Sequence, residues 1–237
     1  MDKIAYIDLS HKVADIKEIP EEVMLRYLGG RGLNAYLLYN HTAKGTDPLS
    51  PENALVFGAG LLTGYLVMSA ARFHVSAKSP ETGIYGDSNC GGLWGPELKQ
   101  AGFQHLVIKG KAESPTYLWI EDGKIEFRDA SHIWGKDTFA AQERILEELG
   151  DPDVQIACIG IGGENLVRFA NVRHGMKRAA GRTGMGCVMG SKNLKAIAVR
   201  GHQGLKPAQP KRLLELIKEQ YQKVISTKIY PVLSRYG

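Results

Sequence analysis

Apolar and polar residues alternate through Ile4–Leu9 and again through Val13–Ile19, which predicts two strands of an opening hairpin. Pro20-Glu21-Glu22 then starts a helix, with proline in its first turn and acids against the positive end of the dipole, and Gly29-Gly30 stops it. Leu33–Tyr39 predicts a second short helix. Apolar, β-rich runs at Leu55–Gly60, Phe73–Ala77, Leu106–Lys109, Thr116–Glu121 and Lys124–Arg128 predict strands, the last two joined by Asp122-Gly123, a two-residue hairpin signal. Asp137 can cap a helix reaching Leu149, with Phe139, Ile145, Leu146 and Leu149 on one side and Gly150 just past its end. Gln155–Ile161, Val167–Val172 and Lys195–Val199 read as further strands. Beyond a linker at 204–210, Lys211–Ser226 has an apolar helical face of Leu213, Leu214, Ile217, Tyr221 and Val224.

Strands outnumber helices and do not alternate with them, so the pattern predicts an α+β fold with mixed sheets. Leu106-Val-Ile-Lys-Gly110, downstream of Leu98-Lys99, and Ala196-Ile-Ala-Val-Arg-Gly201, directly after Leu194-Lys195, suggest an internal duplication. The boundary is expected near 205, with 1–205 as one domain and 206–237 as a linker and the first helix of a following helical domain. Ala54–Ala71 lacks charge for eighteen residues, but Gly58, Gly60 and Gly64 fit a buried strand running into a tight loop better than a membrane span. The start, MDKIAYIDLS, is not a signal peptide. Cys90, Cys158 and Cys187 are widely spaced, with no CxxC, which points to a reducing, cytoplasmic setting and away from a disulfide framework. No membrane or nucleic-acid partner is expected.

Glycine changes the picture. The 28 glycines among 237 residues mark many turns or a backbone brought close to something. Charge changes it again: residues 165–214 hold eleven Lys or Arg and no acid, whereas the rest of the chain carries 19 basic and 25 acidic side chains. That stretch is either a solvated basic face or an anion site. Within it, Gly181-Arg-Thr-Gly-Met-Gly186 and the following Cys-Val-Met-Gly190-Ser-Lys form a loop whose backbone N–H groups can face an anion. It is neither a P-loop nor a dinucleotide fingerprint, because the glycine spacing and the later acid are missing. Asn89-Cys-Gly-Gly92-Leu-Trp-Gly95-Pro-Glu would aim a helix start at a phosphate. Arg72, the only Lys, Arg, Asp or Glu between Asn53 and Ala77, needs an internal carboxylate or a bound anion if it is buried. Arg31, in Gly29-Gly-Arg-Gly, is either structural or an auxiliary cation. Cys90 is more often a packing residue than a ligand, and His74 is read as inert. No carboxylate pair, Ser/His/Asp set or metal-ligand cluster emerges. The residues alone reach a domain with several glycine–arginine loops suited to a large phosphate-bearing ligand.

The order of these segments resembles the aldehyde ferredoxin oxidoreductase family over essentially the whole chain. The likeness rests on Tyr27-Leu-Gly-Gly-Arg-Gly-Leu-Asn-Ala35, Leu49-Ser-Pro-Glu-Asn53, Gly58-Ala-Gly-Leu-Leu-Thr-Gly64, Lys78-Ser-Pro80 and Gly95-Pro-Glu-Leu-Lys-Gln-Ala-Gly102. It continues through Asp129-Ala-Ser-His-Ile-Trp-Gly135, Ile159-Gly-Ile-Gly-Gly-Glu-Asn165, Arg178-Ala-Ala-Gly-Arg-Thr-Gly-Met-Gly186 and Val188-Met-Gly-Ser-Lys-Asn-Leu-Lys-Ala-Ile-Ala198. The resemblance implies two related six-stranded mixed β-sheets with short helices, forming a base for a tungsten (or molybdenum) bis-pterin. It implies that Arg72 lies between pterin and iron–sulfur cluster, and that Asn89, Cys90, Gly91 and Gly92 together with Arg182, Thr183, Gly184, Met185 and Gly186 contact the pterins. Backbone carbonyls at Asn89 and Thr183 would bind a bridging magnesium. The reaction implied is oxidation of aldehydes to carboxylic acids with water, electrons passing through a [4Fe-4S] cluster to ferredoxin or an electron-transfer subunit. The cluster ligands and remaining pterin loops of the family lie beyond residue 237, so a fragment or truncated product is expected, inactive and cluster-free by itself, with the remainder of the enzyme as partner. Two alternatives remain: a non-catalytic cofactor carrier docking to a separate remainder, and a relative acting on a hydroxy acid or an aryl-CoA. Family members carry a small residue such as serine where Cys90 stands. Arg72, Asn89 and Arg182 are expected to surround one concavity or groove, and exposed apolar loops near Leu61–Leu66 and Leu93-Trp94, with the apolar face of the 211–226 helix, are expected to favour self-association, a homodimer being the simplest form.

Overall fold

In the computed structural model, which describes residues 3–236, the opening alternation forms β1 (Lys3–Asp8) and β2 (Val13–Glu18), an antiparallel pair. Helices α1 (Glu21–Tyr27) and α2 (Gly30–His41) lead to β3 (Leu55–Ala59), β4 (Phe73–Lys78), β5 (Tyr85–Cys90), the short α3 (Trp94–Gln100) and β6 (His105–Lys109). Next come β7 (Thr116–Glu121), β8 (Lys124–Asp129), α4 (Thr138–Leu149), β9 (Gln155–Cys158) and α5 (Ile161–Glu164). After them stand β10 (Val172–His174), β11 (Arg178–Ala180), α6 (Met185–Ser191) and β12 (Leu194–Arg200), and the chain continues into α7 (Pro210–Ile225) and α8 (Tyr230–Tyr236).

The first sheet runs β2-β1-β6-β3-β4-β5 and the second, from its far edge, β8-β7-β12-β9-β10-β11. Adding six to each strand of the first gives the second. The single parallel pair falls in the same place, β1 with β6 and β7 with β12, and the other neighbours are antiparallel. The two sequence echoes lie on β6 and β12, the equivalent strands, so the suggested duplication has a structural counterpart.

Period-two burial explains the layers. Leu106 and Ile108 of β6, with Ile197 and Val199 of β12, face a shared core between the sheets. Val107 turns outward to Leu33, Leu37 and Leu38 of α2, and Ala196 and Ala198 turn outward to the layer holding Ala141 and Ile145 of α4. Helices α3 and α6 are wedged between the sheets, contributing Trp94, Leu98, Val188 and Met189 to the shared core. The Trp94 indole N–H donates to the Ile197 carbonyl, 3.0 Å away on the opposite sheet. α3 therefore ties its own half to the other.

The structure departs from the sequence reading at definite places. Asp137 does cap α4, accepting from the Phe139 and Ala140 N–H groups, and Gly150 ends it in the left-handed region. Phe139, however, is exposed while Ala141 is buried. The strand expected over Gln155–Ile161 ends at Cys158, with Ile161 opening α5, and Val167–Val172 is a series of turns that becomes strand only at Val172. The polar β5 and the glycine-rich α6 were not expected as a strand and a helix. α7 carries no buried residue. Among the described residues no helix is long and apolar enough to cross a membrane.

Candidate functional site

The site grows from the edge where the first sheet ends on β5 and the second on β11. Antiparallel pairing sets Asn89 of β5 opposite His74 of β4, with Arg72 just before β4. The Arg72 guanidinium donates to the Asn89 side-chain carbonyl and is itself exposed. Of the two partners expected for a buried Arg72, the internal carboxylate is not found: the residue is exposed, a neutral amide holds it, and the charge stays available. Two residues before Asn89, Asp87 accepts from Arg31 Nε at 2.8 Å and from the Ser76 hydroxyl at 2.9 Å, with His74 Nδ1 3.3 Å away. Burial would raise the Asp87 carboxyl, but hydrogen bonds from His74, Ser76 and Arg31 outweigh it and hold the group below its ordinary value. Arg31 is thus in a structural ion pair, and His74 lies within β4 with its ring hydrogen-bonded to Asp87.

The neighbouring side chain on β5, Ser88, points to the opposite face and accepts the Arg182 backbone N–H at 3.1 Å. The Thr183 hydroxyl donates to the Arg182 carbonyl at 2.8 Å. Thr183 and Gly184 both have positive φ, +59° and +71°, and a Cβ on Gly184 would sit 1.9 Å from the Arg168 carbonyl oxygen. Only glycine fits there. Met185, buried in the core, anchors the start of α6 behind this turn. Gly186 also lies close to the 170–171 backbone, where a Cβ would meet the Asn171 carbonyl oxygen at 2.3 Å. Nearby, the Arg178 side chain lies 3.9 Å from the place of a Cβ on Gly91. The Asn89–Gly92 and Arg182–Gly186 segments therefore meet at one edge, although the Asn89 side chain and the Arg182 backbone attach to opposite faces of β5. Arg72 and Arg182 are both exposed. A cavity of about 540 Å³ is lined by Tyr65, Lys99, Gln104 and Lys206, and one of about 860 Å³ by Tyr39, Ile84 and Tyr85 among others.

Over residues 165–200 the cations of the acid-free stretch fall into two groups. Lys192 is wholly buried and donates to the Pro51 and Gly110 carbonyls at 3.0 and 3.3 Å; burial pulls its ammonium down to about 7. Lys195 is buried against the Glu164 carboxylate and the Lys136 carbonyl. Arg200 pairs with Glu97, Asp151 and Asp153. These three cations are structural. Arg168, Lys177, Arg178 and Arg182 remain exposed and Arg173 half-buried, its Nε without a hydrogen-bond partner. Among the described residues, none of Arg72, Arg168, Arg173, Arg178 and Arg182 has a carboxylate partner. Arg173 and Arg178 were missed individually by the sequence reading, although the acid-free stretch contains both.

Two expected contributors turn inward. The Cys90 side chain lies in the shared core, its thiol pushed up to about 11 by burial, so only its backbone is available at the edge. The start of α3 is buried through Trp94, Gly95 and Pro96, so it does not present free N–H groups to solvent as expected. Among the described residues no cluster of His, Cys, Asp and Glu could hold a metal.

Residues 4–201 match the family described as aldehyde ferredoxin oxidoreductase, N-terminal domain. The chain belongs to the aldehyde ferredoxin oxidoreductase family. It is 46% identical over 218 residues to the tungsten-containing aldehyde ferredoxin oxidoreductase of Pyrococcus furiosus, a match covering 92% of this chain and 36% of that protein. It is 35% identical to the aliphatic sulfonate oxidoreductase, WOR-like subunit, of the same organism, covering 93% of this chain and 38% of that one. Among solved structures, the active site complex BamBC of benzoyl coenzyme A reductase superposes with a TM-score of 0.91 at 39% identity, covering 94% of this chain and 34% of that chain. The chain thus spans about a third of the length of these members of the aldehyde ferredoxin oxidoreductase family, and the paired six-stranded sheets are the N-terminal fold of that family.

Proposed function

We propose that this chain is the pterin-binding base of a tungsten oxidoreductase that converts aldehydes to carboxylic acids and passes electrons to ferredoxin. The observation that carries the reading is the set of arginines without carboxylate partners, Arg72, Arg178 and Arg182, at the edge where β5 and β11 meet. Unpaired cations beside a tight, positive-φ backbone suit phosphate-bearing ligands. The residues present fit the group: Arg178 and Arg182 would face pterin phosphates, Arg72 would lie beside the pterin system, and backbone carbonyls at Asn89 and Thr183 would share a magnesium ion. Gly91, Gly92, Gly184 and Gly186 would let backbone approach the ligand. When bound, the tungsten bis-pterin supplies the two-electron oxidation of the aldehyde carbon. This chain's residues bind and orient it, and the remainder of the enzyme would provide the [4Fe-4S] cluster. Three free, buried cysteines suit a reducing, cytoplasmic setting.

The test is anaerobic purification of the protein from its own cells, with tungsten, molybdenum and pterin measured per chain and viologen-linked oxidation assayed on aldehydes, hydroxy acids and aryl-CoA thioesters. Near-stoichiometric tungsten, lost in Arg182→Glu and Arg178→Glu, with aldehyde oxidation is expected. Protein free of pterin, or metal content indifferent to both charge reversals, overturns the reading. Turnover of aryl-CoA alone would replace the substrate.

A further inference from the structure

His174 closes β10 and is almost wholly buried where the second sheet meets the end of β5. Its Nδ1 lies 3.0 Å from the Ile156 carbonyl oxygen of β9, and its Nε2 lies 3.2 Å from the backbone nitrogen of Leu93. A carbonyl can only accept and an amide N–H can only donate, so these two partners select the neutral imidazole protonated at Nδ1. The same ring fixes the residue before Leu93: Gly92 has φ +103°, and a Cβ there would fall 2.5 Å from Cδ2 and 2.6 Å from Nε2 of the imidazole. The Phe73 ring packs edge-on against the imidazole at 6.3 Å between centroids, and the Gly175 N–H donates to Gln142 Oε1 of α4, fixing the turn that follows. Across the β10–β11 ladder His174 is paired with Arg178, whose side chain lies against Gly91. The second sheet therefore holds both glycines of a loop belonging to the first.

We propose that His174 is the positioning residue of the Gly91–Leu93 segment, its neutral Nε2 accepting the Leu93 N–H so that the opposite sheet sets how this segment meets a phosphate-bearing ligand. The ligand half of this inference rests on the pterin-binding reading; the clamp itself does not. Protonation would replace the acceptor by a second N–H facing Leu93. Burial holds the imidazole below its ordinary value. Its cross-strand neighbour on β11 is Arg178, Arg173 precedes it on the opposite face of its own strand, β9 offers a carbonyl, and β4 and the 92–93 turn offer the Phe73 ring and a backbone N–H. With no carboxylate paired to it, nothing in these contacts favours an imidazolium.

Two substitutions separate the halves of the clamp. In His174→Gln the side-chain amide reaches the position of Nε2 and can accept from Leu93. In His174→Asn it reaches only Nδ1 and keeps the Ile156 contact. In the ¹⁵N-labelled full chain, the His174 ring should be protonated at Nδ1 and bare at Nε2 at pH 7. Leu93 amide exchange should speed about fivefold or more in His174→Asn and return toward the unsubstituted rate in His174→Gln, the loss of about one hydrogen bond. Titration with inorganic phosphate should follow the same order, with about fivefold weaker binding in His174→Asn. An Nε2-protonated imidazole in the unsubstituted chain overturns the clamp by itself, even if both variants fail to fold. Equal Leu93 exchange in the two variants also overturns it. The correct exchange order with unchanged phosphate affinity overturns the positioning role, and no phosphate binding by the unsubstituted chain overturns the pterin reading while leaving the clamp decided by exchange.

Discussion

Gly91 and Gly92 are adjacent in sequence and opposite in tolerance. A methyl group at Gly91 would make ordinary contact with Arg178, whereas at Gly92 it would collide with the imidazole on a backbone at φ +103°. Gly91→Ala should therefore unfold within about 0.5 kcal/mol of the parent in chemical denaturation, and Gly92→Ala should lose about 1–3 kcal/mol. Lys192 gives a second test at this scale. Its folded value near 7 lies below the ordinary 10.5, so between those values the unfolded chain holds a proton that the folded chain lacks. Stability contributed by this group then rises with pH across that window, by at most about 1.4 kcal/mol per pH unit, and is lost as pH falls toward 7. Comparing unfolding of the parent and Lys192→Met from pH 7.5 to 9.5 should show the slope reduced in the variant; parallel curves would mean that the ammonium remains charged in the fold.

Among the elements, α5 is held by one buried pair. Glu164 accepts from Lys195 with one oxygen and from the Gly135 N–H, 2.8 Å away, with the other. Glu164→Ala leaves a buried ammonium and should cost about 3–5 kcal/mol, while the double variant Glu164→Leu/Lys195→Met should recover much of it. If the two variants melt alike, the pair is not an isolated buried couple. The elements also show where the sequence was legible. β1, β2, β6, β7 and β12 announce themselves because both the apolar alternation and the turns are local. β5, Tyr-Gly-Asp-Ser-Asn-Cys, has no such signal, since its side chains are specified by partners far along the chain: Asp87 by Arg31 and His74, Ser88 by Arg182. α6 was hidden by its glycines, which packing demands; a Cβ on Gly190 would lie 1.9 Å from the Gly163 carbonyl of α5. The candidate site was legible as a glycine–arginine composition, and the resemblance to the family pointed to Asn89 and Arg182. The contacts of Arg178 and His174 with the Gly91–Leu93 segment depend on which strand edges meet, and local pattern carries no information about that.

Over the whole molecule, the body and the last two helices are unequal. α7 and α8 bury no side chain, and Leu214, Tyr221, Val232 and Leu233 remain largely exposed. Removing residues 207–237 should leave the melting temperature of the body within about 2 °C, and amide exchange over 210–236 should be much faster than in β12. A large drop on truncation would move the expected boundary near 205 into the folded unit.

The six-strand repeat with its wedged helices also bears on how the chain is assembled. Each sheet is continuous in sequence, with the seam between halves at 110–115, where Lys111, Glu113 and Ser114 are exposed. Yet Trp94 of the first half is bonded to Ile197 of the second, and Arg182 of the second to Ser88 of the first. Neither half carries a finished interior, while both carry finished secondary structure. A chain cut between Glu113 and Ser114 should therefore behave as a two-piece complementation system: each fragment alone poorly packed and prone to aggregate, the mixture regaining native tryptophan fluorescence with second-order kinetics.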